Sequence, residues 1–400
     1  MFKGYRLLTA YVVVAYIAQG IAEHFCLPNQ PINNYFVKGQ NWEPTKLAAY
    51  LALLMVPWTI KPVFGAISDA LPLKHGSKRM YLTFVFFLSA IGYFAAWLYP
   101  PAMTAGLLLS ACGLAWGTAL LLGLIIEKYP QRLIPYVFSL HFISYYSASI
   151  CSGLAGGKLC QQMTPQAALS TAFAISFAVS LIAAIATPFW IAKETAQTAV
   201  QESVLRNAWF CLKDKNFWLI AAFIYCWSFT PAFGTPLYFQ YTKVLMISQE
   251  QIGQANAAYS LGMLCGALIY PVIWKFFSRY QVQIAISVSI FSTLAFLLLN
   301  SSNYVLLETM RGVASMLGVL CLNWLAAGVA PKGLETFATA TLIGVYNVGT
   351  QTSGIAGAFI YSHFFPGTLN PLLWLGACVI AINLVIYSGI DLRIRATDRN

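Results

Sequence analysis

The sequence predicts an all-α membrane protein of twelve transmembrane helices in two six-helix pseudo-repeats. Three observations predict it. The 400 residues are 59% hydrophobic and only 9% charged, whereas a soluble domain carries about 25% charged residues. Apolar runs of about 20 residues recur along the chain, the length a helix needs to cross a bilayer. The longest polar stretch, residues 193–215, has six such runs before it and six after it.

The runs define the expected segments in order. Segment 1 covers residues 7–27 and is ended by Pro28 and Pro31. Lys3 and Arg6 ahead of it resemble the start of a signal peptide, but no small-x-small cleavage site precedes a soluble mature domain and more spans follow, so it reads as the first span. After an outer loop with Trp42, segment 2 covers 45–67. Segment 3 (80–99) is stopped by Pro100-Pro101, segment 4 covers 102–127, segment 5 covers 136–157 and segment 6 covers 166–191. Segment 7 (216–238) is interrupted by Pro231 and Pro236. Segments 8 to 12 cover 251–276, 282–299, 304–329, 337–361 and 371–390. The expected domains are a bundle over 1–192, a cytoplasmic linker over 193–215 and a second bundle over 216–400.

Lys and Arg number 23 against 12 Asp and Glu, a net charge of +11. The cations cluster between apolar runs, which marks membrane orientation rather than a nucleic-acid face. With the N-terminus inside, seventeen basic residues fall on the inner side and four on the outer side; Lys61 and Arg311 remain within segments. This asymmetry predicts that both termini are cytoplasmic. The compact chain and short loops suggest a bacterial inner membrane.

The two halves echo each other. Ala48-Ala49-Tyr50 recurs as Ala257-Ala258-Tyr259, and Ile60-Lys61-Pro62-Val63 recurs as Ile269-Tyr270-Pro271-Val272, both at an offset of 209. Pro31 with Tyr35-Phe36 is echoed by Pro236 with Tyr238-Phe239. Two parallel six-helix repeats joined by a polar linker are the layout of the major facilitator superfamily, with the site expected near mid-membrane between the halves. In that layout segments 3, 6, 9 and 12 face lipid, and their cores hold no Asp, Glu, Lys, Arg or His. Intramembrane charges fall instead in segments 1, 2 and 10, which line the cavity in that layout.

Those polar positions are the candidate functional residues. In segment 1, Tyr16, Gln19 and Glu23 share a face, with His24 adjacent. A carboxylate beside an imidazole suits proton coupling; the alternative is that Glu23 is merely solvated or paired near the outer mouth. In segment 10, Glu308 and Arg311 are three apart. They either neutralise each other, or Arg311 receives an anionic substrate group through its planar fork and Glu308 releases it. Segment 5 offers His141 with Ser144, Tyr145 and Ser152, either as a binding face or as core. In segment 11, Asn347 and Gln351 can hydrogen-bond a heterocycle or amide, or the small residues around them simply permit close packing. Trp227, beside the Pro231 break, can stack on a planar ligand.

The nine cysteines form no CxxC pair and read as small buried hydrophobes, with no metal or redox role expected. No phosphate-binding loop, metal cluster or nucleophile arrangement appears, so neither an ATP-driven pump nor an enzyme is expected, and no cofactor.

The stretch Pro57-Trp58, Lys61-Pro62, Gly65, Ser68-Asp69, Lys78-Arg79 and Tyr81-Leu82, preceded by Tyr35-Phe36, resembles the signature of the folate–biopterin transporter family, a branch of the major facilitator superfamily. The likeness is specific over residues 28–82 and general elsewhere; Lys78 stands where a second Arg is usual. It implies import of a pteridine-like organic anion with protons, by alternating access, through a monomer in the lipid bilayer. Related branches carry siderophores, muropeptides or drugs, and a transporter-like receptor or lipid scramblase is the alternative of another class. Lys61 and Pro62 inside an apolar run, with Gly65, Asp69, Lys78 and Arg79, read as a gate that pairs and unpairs on the cytoplasmic side.

Overall fold

The computed structural model describes residues 5–70, 77–130, 133–190, 213, 215–277, 279–329 and 335–390. The expected linker over 193–215, apart from Lys213 and Lys215, and the basic loop at 74–76 lie outside them.

The regular elements among the described residues are helices. Helix α1 (Arg6–Ala22) is followed by a short α2 (Asn29–Asn34). Then come α3 (Pro44–Leu54), α4 (Val56–Thr59), α5 (Lys61–Ala70), α6 (Ser77–Leu98), α7 (Met103–Lys128), α8 (Ile134–Gln162) and α9 (Pro165–Trp190). The remainder are α10 (Lys215–Ser228), α11 (Thr235–Phe239), α12 (Gln249–Phe277), α13 (Gln281–Ala295), α14 (Tyr304–Val329), α15 (Glu335–His363) and α16 (Asn370–Ser388).

Among the described residues, seven helical stretches are long and apolar enough to cross a membrane: Lys78–Leu98, Pro100–Ile125, Pro165–Trp190, Gln249–Ile273, Gln281–Leu298, Tyr304–Leu325 and Asn370–Ser388. Helices α8 and α15 are as long, but polar residues lower their mean hydropathy.

Three expected segments are broken, each for a local reason. Segment 1 stops at Ala22, because Glu23 turns extended at φ −61° and ψ 136°. The Ala22 carbonyl that this releases accepts a hydrogen bond from the Tyr93 hydroxyl on α6, which meets the need to satisfy freed backbone groups away from water. Segment 2 is three helices, interrupted at Met55 and Ile60 around Pro57 and Pro62, which cannot donate to the helical ladder. Segment 7 breaks after Ser228, and the chain turns through Gly234 at φ +81°, a conformation glycine adopts without penalty.

One backbone device occurs twice. Helices α2 and α11, carrying Pro31 and Pro236, each run into a five-residue π-helical turn, Tyr35–Gly39 and Gln240–Val244. A non-glycine residue in the left-handed region follows each turn, Asn41 at φ 53° and Met246 at φ 49°. Such residues are uncommon.

The chain divides into two compact units, one of residues 1–43, 53–199 and 247–264, the other of 44–52, 200–246 and 265–400. The first is built on Tyr11, Tyr16, Phe86, Tyr93 and Phe173, all essentially sealed from solvent. Tyr11 bonds to Thr187 at 2.9 Å, tying α1 to α9. The second has its core at Phe217, Phe223, Ile286, Leu317 and Leu325.

Candidate functional site

In the first unit, the end of α1 assembles a charged cluster. Glu23 is 6% exposed and accepts a 2.7 Å hydrogen bond from the Tyr145 hydroxyl of α8. Lys61, the first residue of α5, lies within electrostatic reach of both Glu23 and His141. Its ammonium sits 4.0 Å from the centroid of the Trp58 ring, a cation–π distance. His141 stacks on Tyr16 with centroids 3.6 Å apart. The Tyr16 hydroxyl and His141 Nδ1 are buried with no hydrogen-bond partner among the described residues. His24 is also buried, lies tilted against Phe25 with ring centroids 3.9 Å apart and leaves both ring nitrogens without such a partner.

Close helix contact makes this cluster. A Cβ on Gly20 would run into the Tyr145 carbonyl oxygen and come within 2.9 Å of Ala148 Cβ. Ser152 donates to the Gly20 carbonyl at 2.9 Å, and Gln19 donates to Thr118 on α7. The glycine thus lets α1 lie on α8 so that Glu23, three residues on, reaches Tyr145.

In the second unit, Glu308 is 3% exposed. Its Oε2 accepts from Arg311 Nε at 2.7 Å, and its Oε1 accepts from the Tyr241 hydroxyl at 2.9 Å. The Arg311 guanidinium lies 4.9 Å from the Phe233 ring centroid. Mutual neutralisation of Glu308 and Arg311 is therefore realised in this conformation. Their joint desolvation is offset by paired hydrogen bonds.

Other expected residues fall elsewhere. Trp227 is buried in the apolar core of the second unit, stacked on Phe223 at 5.8 Å and pressed against Gly318. Asn347 is buried on α15 and Gln351 half-buried one turn on. Gly349 there packs on Ser228 and the Tyr225 carbonyl, whereas Gly354 has nothing within 4 Å of a built Cβ; close packing explains the first glycine and not the second. Pro62 is half-buried in α5, and Lys78 and Arg79 are half-buried in the first turn of α6. Gly65 and Asp69 lie in α5, and the pairing expected of Asp69 falls outside the described residues. Among the described residues no group of His, Cys, Asp and Glu is arranged to hold a metal.

Sequence reasoning missed Tyr241 and Phe233 as partners of Glu308 and Arg311, and the contact of Cys26 Sγ with the Tyr145 hydroxyl at 3.5 Å. Tyr241 follows the Pro236 echo, but nothing in its local pattern points at a carboxylate 67 residues away.

Solved transporters share this fold. A D-xylose-proton symporter superposes with a TM-score of 0.74 at 13% identity, over 98% of this chain and 99% of that one. The nucleoside transporter NupG gives 0.72 at 16%, over 96% and 98%. These likenesses show the fold, and the apolar spans suit it to a membrane. The BT1 family profile matches residues 19–370, and the chain belongs to that family, the folate–biopterin transporters. It is 24% identical to a folate-biopterin transporter of Synechocystis sp. (strain ATCC 27184 / PCC 6803 / Kazusa) over 379 residues, 88% of this chain and 74% of that relative.

Proposed function

We propose that this transporter imports a small organic anion of the pteridine class, coupled to protons, by alternating access. The observation that supports it most is the buried Glu23 carboxylate, held by Tyr145 within electrostatic reach of Lys61. Charges inside a membrane-spanning fold are costly and mark ion or substrate paths. Glu23 is the proton-coupling carboxylate, with His24 beside it. Lys61, His141 and Tyr145 offer the substrate a cation, an imidazole and a phenol.

Arg311, released from Glu308, receives the anionic group, and Asn347 and Gln351 add amide contacts. Pro62, Gly65, Asp69, Lys78 and Arg79 form the cytoplasmic gate. Twelve helices in two repeats, bundled as 1–192 and 216–400 about a cytoplasmic linker, fit the duplicated π-turn. The protein works as a monomer in a bacterial inner membrane with both termini inside.

The test is uptake of labelled folate and a simple pterin into proteoliposomes after a pH jump, for wild type, Glu23→Gln and Arg311→Ala. Gradient-driven accumulation in wild type, lost in both variants, supports the reading. Absence of uptake by monodisperse wild type removes the pteridine substrate. Accumulation that persists in Glu23→Gln removes that residue from coupling.

A further inference from the structure

The Tyr145 hydroxyl that holds Glu23 is the first link of a longer chain. Cys26 Sγ lies 3.5 Å from the Tyr145 hydroxyl and 3.8 Å from Ser149 Oγ. Ser149 Oγ is 2.9 Å from Ser260 Oγ, and Ser260 donates to the Asn256 carbonyl at 3.2 Å. The chain runs from the α1 terminus through α8 into α12, all inside the first unit.

It ends at an unusually close helix seam. A Cβ on Gly157 would lie 2.8 Å from Gly253 Cα, and one on Gly153 would lie 2.9 Å from the Ala257 nitrogen. With no side chains between them, small changes in polar contact have leverage on how these backbones meet. Gln30 Nε2 donates to the Gln249 carbonyl at 2.6 Å, closing the seam at its end.

Each link has a single proton to donate, and this fixes the direction of the chain. Ser260 donates to Asn256, so Ser149 must donate to Ser260. With Glu23 ionised, Tyr145 must donate to the carboxylate. The Cys26 thiol is then free to choose between the Tyr145 and Ser149 oxygens. With Glu23 protonated, the acid proton goes to the Tyr145 oxygen and the phenol turns to Cys26 Sγ. The thiol is left only Ser149 as acceptor, so Ser149 is held from both sides.

We propose that the Tyr145–Cys26–Ser149–Ser260 chain is the link by which the charge of Glu23 sets the tightness of the α8–α12 seam. Cys26 is its switch point. The inference rests on the proposed function only in taking Glu23 as the group that changes charge. Lys61 on α5, Tyr93 on α6, Tyr145 on α8, and Cys26 also face Glu23 electrostatically, and His24 adjoins it. Lys61 and Tyr93 lie off the chain and do not alter its donor order.

The test is hydrogen–deuterium exchange of the full-length protein at one fixed pD, read on peptides covering 249–264, with 165–190 as reference. The proteins are wild type, Glu23→Gln, Cys26→Ala and the double variant. The amide of Glu23→Gln donates to the Tyr145 oxygen as the acid does, so exchange over 249–264 falls at least twofold while the reference is unchanged. Cys26→Ala abolishes that response. Equal exchange in wild type and Glu23→Gln, or a response that survives Cys26→Ala, overturns the proposal.

If Glu23→Gln does not fold, Tyr145→Phe takes the phenol oxygen away from Cys26 with the carboxylate intact, leaving Ser149 as the thiol's acceptor, and exchange over 249–264 then falls at least twofold; unchanged exchange again overturns it. No substrate is needed. Failure of pteridine uptake beside a positive exchange result therefore removes the substrate assignment and leaves this link standing.

Discussion

Tyr241 and Glu308 lie 67 positions apart in the chain, and the phenol donates to Oε1 of the carboxylate at 2.9 Å. Arg311 occupies Oε2 at 2.7 Å. A buried carboxylate thus has both oxygens engaged, one by a neutral donor and one by a cation. The two partners differ in what their loss leaves behind.

Removing Arg311 leaves a buried carboxylate without its counter-charge, which costs about 3–5 kcal/mol. Removing the Tyr241 hydroxyl deletes one charge-assisted hydrogen bond, about 1.5–3 kcal/mol. The Tm in detergent should therefore fall most for Arg311→Ala and less for Tyr241→Phe. Glu308→Gln/Arg311→Met, which removes both charges, should lie above Arg311→Ala. The reverse order between Arg311→Ala and the double variant would mean the pair is not dry.

Gly20 gives a steric prediction. A side chain there meets the Tyr145 carbonyl and Ala148, and both belong to an adjacent helix that cannot yield cheaply. Gly20→Val should cost about 1–3 kcal/mol by overpacking and should displace Glu23 from Tyr145. Gly354→Ala is the control, since nothing lies within 4 Å of its built Cβ. Thermal unfolding of the two variants should separate them, and equal Tm values would contradict the α1–α8 contact.

Glu23 and Lys61 should be energetically coupled. Each lies within electrostatic reach of the other, and residues in one charge network interact by about 0.5–3 kcal/mol in double-mutant cycles. Lys61→Met alone should lower the Tm, because it strips the Glu23 carboxylate of a compensating charge. The double variant Glu23→Gln/Lys61→Met should be more stable than the sum of the single losses implies. Strict additivity would place the two charges in separate, solvated surroundings.

What the sequence made legible is what depends on neighbours along the chain. Apolar runs in 80–99, 166–191 and 282–299 are local facts, and helices α6, α9 and α13 lie over them. The Glu308–Arg311 contact followed from three-residue spacing on one helix. The end of α1 at Ala22 was not legible, because the group that accommodates it, the Tyr93 hydroxyl, is 71 residues away. The Glu23–Tyr145 bond spans 122 residues, so its two residues could be nominated separately but not joined. Pro57 and Pro62 were visible inside segment 2, and the two breaks at Met55 and Ile60 fall beside them.

Trp227 separates packing from binding most directly. Beside a proline break, an aromatic ring reads the same whether it faces a ligand or a core, and the sequence reading chose the ligand. The ring is instead 6% exposed and lies over Gly318, where any Cβ would strike the indole. Trp227→Ala should then cost about 3–5 kcal/mol, the usual loss for a buried Trp, and should deplete folded protein in the membrane. Trp227→Phe keeps part of the contact area and should fold with a lower Tm. Its transport KM should stay within about twofold of wild type, since a packing residue adds no differential substrate contact. A tenfold rise in KM at unchanged Tm would reverse the assignment and return Trp227 to the binding site.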